Sequence, residues 1–494
     1  MRDFIPDLKT ERRLLAAICL AAAIRLFLFS AAFPFFNNVD ERAQFDTVHK
    51  YARGWLPRAH TDTFDNETAA LIALYGSPEY FSPEKCAPPF RAAPDILRAH
   101  IQDGARMWTS RHNHEAFSPP LYYLIAGQWL NLGKGIGFQS GDILYWVRFL
   151  NIPLYLLTLW GAWHWLRQSQ PKNFELRLGA LLFLAFLPQD TFYSINNDVL
   201  CPAITTAALI LLSRLDDNIR FIRYAAAGLV VAAGLLTKLT DAALLPLMLF
   251  FAIFHLSSSL PSERPKRLAG LALLGGCALL PFAGWMIWNI HQAGGALGTA
   301  AKAQAVGIDS RPMAEWLQAP VFSSCGAWFF ISDFIQTFWR GEFYWHGQRL
   351  ASPWADTLFI TTTLAALSAG LLGIWRRRQQ AARRENFDNL LTTATLLCFV
   401  GMVFVLSLRL RYIAGGFADL HLPPIIANGR FAVGALVPFA ILYTQGIQFF
   451  CSRFPGKIRP WMIMSFIGLS ATVSEIALSL DVFCSPYNWF HLGG

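Results

Sequence analysis

Charged residues are scarce in this chain. Of its 494 residues, 15% are charged and 54% are hydrophobic, whereas soluble globular proteins carry about 25% charged residues. The deficit extends along the whole length, so the composition excludes an ordinary soluble protein and indicates an integral membrane protein. The formal net charge of +9 does not indicate nucleic-acid binding, because the basic residues fall in short gaps between apolar runs, as in membrane proteins generally.

Cysteine and repeated sequence are also scarce. The chain has eight cysteines, which is unremarkable for this length and indicates no disulfide framework. Cys86, Cys325 and Cys484 fall in segments that we predict outside the cytoplasm, where a disulfide among them is one alternative. The sequence contains no visible internal repeat, whereas transporters are commonly built from repeats.

Eleven apolar runs predict membrane helices, each of which needs about 20 mostly apolar residues. The first run exceeds the ~7–15 apolar residues of a signal-peptide core, so it predicts a retained helix. The stretch 119–132 is short and opens with two prolines, which favours a juxtamembrane or re-entrant helix. The eleven predicted spans are 14–36, 143–166, 178–192, 198–213, 221–238, 241–257, 268–290, 354–375, 389–408, 429–450 and 460–482.

The positions of lysine and arginine predict the orientation of these helices. With the N-terminus in the cytoplasm, every inner gap holds at least three Lys or Arg, as in the RRRQQAARR stretch. We therefore expect an all-α, multi-pass protein of the cell inner membrane, with about eleven transmembrane helices and a periplasmic C-terminus. Its parts are a first periplasmic loop with juxtamembrane helices at 37–142, core helices at 143–290, a second periplasmic loop at 291–353 and C-terminal helices at 354–494.

Two adjacent acids, Asp40 and Glu41, follow the first apolar run in the stretch FFNNVDERAQF. The next residues have an apolar stripe at helical spacing with polar residues opposite, which predicts an amphipathic helix in the membrane plane. Asn38 is the expected N-cap. One interpretation is that the acids only match the helix dipole; the other is that they belong to a site. The stripe is Phe45, Val48, Ala52 and Trp55, and the polar face is Arg42, Asp46, His49 and Arg53.

Further polar residues stand at the predicted outer margins of apolar runs. Such residues are costly in a membrane and are commonly functional. Here carboxylates and cations from separate helices share one membrane face, which favours a site over separate interfacial anchors. These residues are Arg148, Asp190, Asn196, Asn197, Asp198, Lys238, Asp241, Arg409, Arg411 and Arg430.

Several short motifs resemble those of the GT-C membrane glycosyltransferases, in the right order along most of the chain. VDERAQF resembles the acidic motif of their first outer loop, and FSPPLYYLIAG resembles the segment that ends this loop, with Ser118 where His or Lys is common. YSINNDVL, GLLTKLTDAALLP, FIQTFWRGEFYW and NGRFAVGALVP resemble later segments. The resemblance is strongest to the branch of protein mannosyltransferases and aminoarabinose transferases, and it implies a GT-C-like fold.

The resemblance also implies a reaction at the periplasmic face. The donor would be a hexose or pentose linked to polyprenyl phosphate, and the acceptor would be a lipid, a glycan or a protein. The protein would also contact membrane lipids, and no nucleic acid would take part. By motif position, Asp40 is the expected base for the acceptor's proton, and Glu41 is expected to position the acceptor or tune Asp40. Lys238, Arg430 and Arg148 are the expected cations for the donor phosphate.

The remaining candidates concern a metal or the acceptor. Asp198, next to Asn197, either coordinates a divalent cation such as Mg or Mn together with Asp40 or caps a helix. His114 and Glu115, in RHNHEAF, form only a weak zinc pattern. We interpret them as part of a loop that contacts the acceptor.

Two other classes remain as alternatives. Enzymes that resemble O-antigen ligases or polymerases also use polyprenyl-linked sugars, but they rely on Arg and His in a large outer loop rather than on an acidic pair. A transporter or flippase of lipid-linked glycans is favoured by one residue, Arg25, in the middle of the first predicted span. That arginine is equally explained by a partner acid on a neighbouring helix.

Overall fold

A computed structural model describes residues 7–56, 62–82, 87–215, 219–257, 260–299, 302–303, 307–380, 382–412, 425–455 and 458–492. Within these ranges the chain forms seventeen α-helices and two pairs of short antiparallel strands. The helices are α1 (Leu8–Ala32), α2 (Glu41–Ala52), α3 (Asn66–Tyr75), α4 (Pro94–Thr109), α5 (Leu121–Ile136), α6 (Ser140–Phe149), α7 (Asn151–Ser169), α8 (Phe174–Phe186), α9 (Cys201–Ser213), α10 (Phe221–Leu235), α11 (Leu244–Ser257), α12 (Arg264–Ala293), α13 (Ser324–Arg340), α14 (Pro353–Arg377), α15 (Arg383–Arg409), α16 (Leu436–Cys451) and α17 (Arg459–Phe483). The strands are β1 (Ile308–Ser310) paired with β4 (Leu410–Tyr412), and β2 (Tyr344–Trp345) paired with β3 (Gln348–Arg349).

Each of the eleven predicted spans contains a helix, so the predicted all-α, polytopic class is confirmed. Among the described residues, eight helical segments are long and apolar enough to cross a membrane. Three helices at predicted spans are shorter, with 13 residues in α8, 13 in α9 and 15 in α10. At 1.5 Å per residue they reach about 20 Å, less than the ~30 Å hydrocarbon core.

The short helices end in buried 3-10 turns. After α8 the chain passes through turns at Asp190–Tyr193 and Asn197–Leu200, and every residue of both turns is buried. A turn at Leu239–Ala243 precedes α11, and another at Gly429–Ala435 precedes α16. Non-helical backbone is tolerated at membrane depth only where protein or a cavity surrounds it. These four turns carry five of the ten polar residues that the sequence placed at outer margins, and Asn196 and Lys238 directly precede two of the turns.

The first predicted outer loop folds into helices α2 to α5. The stretch opened by two prolines forms α5, which is 16 residues long, and α5 packs against α2. Gly127 allows this close packing, because a Cβ there would lie 2.8 Å from the backbone nitrogen of Ala52. The C-terminal part of α2 is therefore fixed against α5.

The prediction that α2 is an amphipathic helix lying in the membrane plane is wrong, because Asp46 and His49 of its polar face are buried inside the protein. Asp46 is fully buried: its carboxylate accepts hydrogen bonds from the backbone N–H of Asp65 at 2.8 Å and from Nδ2 of Asn113 at 2.7 Å. It also pairs with Nζ of Lys50 at 2.7 Å. The loop after α2 and the segment after α4 cover this part of the face, whereas Arg53 just after the helix is exposed. His49 is buried on the same face.

Arg25 has the partner acid that the sequence offered as one alternative. Its Nε donates to Glu475 of α17 at 2.9 Å, and its Nη1 donates to the carbonyl of Ala185 at 3.1 Å. The pair is buried between helices, so Arg25 no longer favours a transporter.

Two of the three cysteines considered for a disulfide are described. Cys325 and Cys484 are both free and exposed, so they are not bonded to each other. Cys86 lies outside the described residues.

Candidate functional site

Asp40 lies at the N-cap position of α2 in a left-handed backbone conformation, with φ at 69°. This conformation is uncommon for a residue other than glycine, and such strain tends to occur at functional sites. The side chain does not cap the helix. Instead, Oδ1 lies 2.9 Å from Nε2 of His114, and Oδ2 accepts from Nη2 of Arg430 at 3.2 Å. The predicted N-cap, Asn38, donates to Asp190 at 2.9 Å, so that prediction is wrong.

Arg430 lies among three carboxylates. Besides Asp40, its Nε lies 3.2 Å from Oε2 of Glu342 and 3.7 Å from Oδ2 of Asp198. The residue is 3% exposed, and its Nε and Nη1 have no hydrogen-bond partner. The preceding Gly429 permits this placement, because a Cβ there would lie 1.9 Å from the carbonyl oxygen of Phe334. A buried guanidinium thus keeps two nitrogens unpaired by hydrogen bonds.

Lys238 lies on the other side of Asp198. Its Nζ forms an ion pair with Oδ1 of Asp198 and lies 5.1 Å from the centre of the Phe431 ring. Asp198 is 1% exposed, and its Oδ2 has no hydrogen-bond partner. The structure therefore brings two of the three predicted phosphate cations, Lys238 and Arg430, to the same buried acid.

Glu342 and Arg349 belong to this cluster, although sequence reasoning assigned them no role. Oε1 of Glu342 accepts a hydrogen bond from Nη2 of Arg349 at 2.8 Å, and Nε of Arg430 approaches Oε2 of Glu342. Arg349 also binds Asp333 of α13 at 2.6 Å. The only available signal was the family-like segment FIQTFWRGEFYW, which contains Glu342. Arg349 follows in the β2–β3 hairpin, outside any recognised motif.

His114 and Glu115 lie on the opposite side of Asp40. Glu115 is 1% exposed, pairs with Lys302 from the second predicted outer loop, and accepts from the hydroxyl of Ser118 at 2.5 Å. His114 is partly exposed. Lys302 was not singled out from the sequence, because nothing near it in the chain marks it.

The surrounding charges keep both acids ionised. Burial alone would raise the pKa of Asp40, but the hydrogen bond and charge of His114, with Arg430 and Lys302, hold it well below its usual range. Burial likewise opposes ionisation of Glu115, and the charge of Lys302 outweighs it, so the pKa of Glu115 is lowered. Because an ionised Asp40 only accepts hydrogen bonds, Nε2 of His114 must carry the hydrogen. In the neutral imidazole, Nδ1 then has the free lone pair.

A divalent cation does not fit this arrangement. One potential ligand atom from each of Asp40, His114 and Glu115 lies within 4.8 Å of the others. However, Arg430 already binds Asp40, and Lys302 binds Glu115. A cation shared by Asp40 and Asp198, one of the two alternatives for Asp198, would lie against the Arg430 guanidinium that approaches both acids. The cluster supplies its own positive charges, so we assign no metal role to these residues.

Glu41 and Arg148 form a separate, sealed pair. Arg148 is fully buried and binds both carboxylate oxygens of Glu41 at 2.7 Å. Its remaining hydrogen bonds go to the carbonyls of Ser30, Phe33 and Pro34 at the end of α1. No donor of Arg148 is left for a phosphate. The predicted assignment of Arg148 to the donor phosphate is therefore wrong, and Glu41 is equally unavailable to an acceptor.

Of the remaining sequence candidates, Asn197 lies at the cluster, whereas Arg409 and Arg411 lie away from it. Asn197 adjoins the cluster: it is buried beside Asp198, its Oδ1 has no hydrogen-bond partner, and its Nδ2 lies 3.5 Å from the Tyr123 hydroxyl. Arg411 lies elsewhere, on β4, where it binds Asp309 at 3.0 Å and is about half exposed. Arg409, one residue before β4, is also exposed.

Solved structures similar to this chain include three membrane enzymes. ArnT from Cupriavidus metallidurans bound to undecaprenyl phosphate has a TM-score of 0.43 and 11% identity, over 98% of this chain and 76% of its own. The archaeal oligosaccharyltransferase AglB from Archaeoglobus fulgidus, in complex with an inhibitory peptide and a dolichol-phosphate, has a TM-score of 0.41 and 11% identity, over 94% of this chain and 56% of its own. The arabinosyltransferase EmbB from Mycobacterium smegmatis has a TM-score of 0.38 and 13% identity, over 92% of this chain and 40% of its own.

These structural neighbours are GT-C glycosyltransferases, the superfamily that the motifs resemble. The chain spans only about half the length of the oligosaccharyltransferase. All three TM-scores are below 0.5, so the roles of individual residues rest on the geometry described above. A comparison with curated protein sequences finds no match. The profile of the family described as predicted membrane protein (DUF2142) matches residues 24–415. The chain belongs to that family.

Proposed function

We propose that this protein is a membrane glycosyltransferase that moves a sugar from a polyprenyl-phosphate donor to an acceptor at the outer face of the cell inner membrane. The observation that carries the proposal is the buried guanidinium of Arg430. It lies between Asp40, Asp198 and Glu342 with two nitrogens unpaired by hydrogen bonds, and Lys238 shares Asp198 with it.

A phosphate leaving group explains why two cations meet in a buried place. As the bond between the sugar and the phosphate breaks, negative charge accumulates on the phosphate, and fixed cations stabilise it most where water is excluded. Charge-assisted hydrogen bonds from arginine to phosphate are strong and directional. Nη1 of Arg430 has no partner among the described residues and is available for such a bond, whereas Nε lies 3.2 Å from Glu342, and Lys238 supplies a second charge.

The contact between Arg430 and Asp40 couples binding of the donor phosphate to the pKa of Asp40. In the structure Arg430 is held by carboxylates, including Asp40. A phosphate that takes over Arg430 removes positive charge from the vicinity of Asp40. The loss of a nearby cation raises the pKa of a carboxylate, and a higher pKa makes Asp40 a stronger hydrogen-bond acceptor and base. Donor binding would thus prepare the site for the acceptor.

The acceptor then loses its proton to the Asp40–His114 pair. Asp40 orients His114 through the 2.9 Å contact at Nε2, and the imidazole lone pair at Nδ1 or the carboxylate itself takes the proton. The acceptor oxygen or nitrogen forms a bond to the anomeric carbon. The bond from that carbon to the phosphate oxygen breaks, and its electron pair leaves with the polyprenyl phosphate.

The position of the site suits a lipid-linked donor. Asp198, Lys238 and Arg430 lie in or beside the buried turns that interrupt α8–α9, α10–α11 and the start of α16. Such breaks place polar groups at the ends of membrane helices while the prenyl tail remains between the helices and the lipid. With the N-terminus in the cytoplasm, this end of the helices faces the periplasm.

The test is binding of polyprenyl phosphate to the purified protein in lipid nanodiscs. Arg430→Gln removes the guanidinium, and we expect at least a tenfold loss of affinity, because a hydrogen bond to a charged group contributes about 1.5–3 kcal/mol. Arg411→Gln is the matched control, since Arg411 is an exposed arginine outside the cluster. Equal affinity in the two variants would contradict the phosphate site.

A further inference from the structure

Two arginines next to the proposed transfer site lie against the same aromatic ring. Arg42 follows Asp40 by two residues, in the first turn of α2. Its guanidinium carbon lies 5.1 Å from the centre of the Tyr80 ring and 5.4 Å from that of Trp108. The guanidinium carbon of Arg111 lies 4.9 Å from the centre of Trp108. Cation–π contacts of this kind hold a guanidinium in place without neutralising its charge.

Neither arginine has an acid partner in the described part of the chain. Arg148 and Arg430 are each bound to carboxylates, whereas no hydrogen bond or ion pair joins the side chain of Arg42 or Arg111 to a described residue. Nε of Arg42 is buried without any partner. Burying part of a cation that has no partner among the described residues is costly, so this place suits a bound anion.

The electrostatics of Arg42 favour binding of an anion. Burial lowers the pKa of Arg42; the charges of Tyr80 and Glu41 oppose this shift, and the like charge of Arg111 adds to it. Two like charges near one ring repel each other, and an anion bound to them would remove that repulsion. Arg111 is exposed and would be unremarkable alone. The partly buried Arg42 is the residue that needs an explanation.

The arginine pair adjoins the transfer site. Tyr80, which Arg42 covers, stacks on Tyr344 of β2 with ring centres 5.2 Å apart and an angle of 18°. Tyr344 follows Glu342 by two residues. Burial raises the pKa of Tyr80, and the charges of Asp40 and Glu342 add to this effect although Arg42 opposes it. Arg42 from the arginine pair and Asp40 and Glu342 from the transfer site therefore all act on the Tyr80 hydroxyl.

We infer that Arg42, Arg111 and Trp108 form a binding site for a phosphate or carboxylate group carried by the sugar acceptor. The assignment to the acceptor rests on the proposed function, whereas the anion site itself does not. The donor phosphate already has Arg430 and Lys238, so a second pair of cations serves a different anionic group. An anion held at Arg42 keeps the acceptor near the Tyr80 ring, whose hydroxyl is also acted on by the charges of Asp40 and Glu342.

The test uses a reporter within the site. The full chain is labelled with 5-fluorotryptophan and placed in nanodiscs of neutral lipid, and the Trp108 signal in the ¹⁹F NMR spectrum is assigned by its loss in Trp108→Phe. Inorganic phosphate and acetate are titrated separately at constant ionic strength. We expect one or both anions to shift the Trp108 signal to saturation in the wild-type protein and in Arg430→Gln, whose proposed donor site is impaired.

The controls separate the site from general charge effects. Arg42→Gln and Arg111→Gln should abolish the shift, and Arg111→Gln keeps the test valid if Arg42→Gln does not fold. Arg106→Gln should leave it unchanged, because Arg106 is an exposed arginine on the same helix as Trp108. A shift by phosphate alone or by acetate alone identifies the anionic group. No saturable shift, or equal shifts in both arginine variants and the wild type, would overturn the inference even if sugar transfer is demonstrated.

Discussion

Nη2 of Arg430 donates to Oδ2 of Asp40 at 3.2 Å and joins residues 390 positions apart in the chain. The contact connects the acidic motif after α1 with the turn before α16. It places the proposed base and the proposed phosphate cation within one hydrogen bond of each other. In the proposed reaction the acceptor's base and the phosphate's cation both act around one carbon atom, and this contact holds the two groups in one place.

Glu41 should be a structural residue rather than an acceptor contact. Glu41→Gln leaves the buried guanidinium of Arg148 without its counter-charge, and breaking a buried ion pair on one side costs about 3–5 kcal/mol. We expect that loss in the free energy of unfolding, measured by denaturant titration in detergent. Glu67→Gln is the control, since Glu67 is about half exposed. An equal effect of the two substitutions would contradict the structural role.

Acid should destabilise the site through Asp40 and Glu115. Both acids have a lowered pKa in the folded protein, against about 3.9 and 4.3 in the unfolded chain. The unfolded state therefore binds more protons as the pH falls below about 4.5, and the stability that these groups contribute is retained above that pH and lost below it. Thermal unfolding from pH 7 to pH 3 should show a smaller acid-induced loss in Asp40→Asn than in the wild type. Equal losses would mean that Asp40 is not stabilised by its neighbours.

His114 should affect turnover more than donor binding. His114→Gln removes the basic nitrogen, and general-base catalysis contributes about 10²–10⁴-fold. Transfer should fall by up to that factor, while binding of polyprenyl phosphate, which depends on Arg430 and Lys238, should change little. His112→Gln is the matched control, because His112 is exposed two residues away. Loss of donor binding in His114→Gln, or normal transfer, would remove His114 from the proton pathway.

The sequence predicted the helices and part of the site for a clear physical reason. Long apolar runs indicate segments that lie in lipid. Ionisable residues such as Lys238 and Arg430 at the ends of these runs cost free energy in the membrane, so they are rarely present without a function. Both of these residues were identified from the sequence, and the structure brings them together at Asp198.

The partners in the site could not be predicted in the same way. Glu342, Arg349 and Lys302 reach it through loops, where no periodic pattern indicates which side chain faces which. The neighbours Asp40 and Glu41 look equivalent in sequence, yet one is bound by Arg430 and the other by Arg148. The left-handed backbone at Asp40 directs the two side chains apart, and that conformation depends on tertiary contacts. The buried polar face of α2 likewise depends on a loop that closes over it.

The central claim is that Asp40 serves a sugar transfer from a polyprenyl-phosphate donor. The most direct measurement is the transfer of radiolabel from a polyprenyl-phosphate sugar pool in membranes that contain the wild-type protein or Asp40→Asn, a nearly isosteric change that removes only the charge. The account predicts transfer by the wild type, a decrease of about 10²–10⁴-fold in Asp40→Asn, and retained binding of polyprenyl phosphate in the variant. Transfer by Asp40→Asn at the wild-type rate would contradict the account.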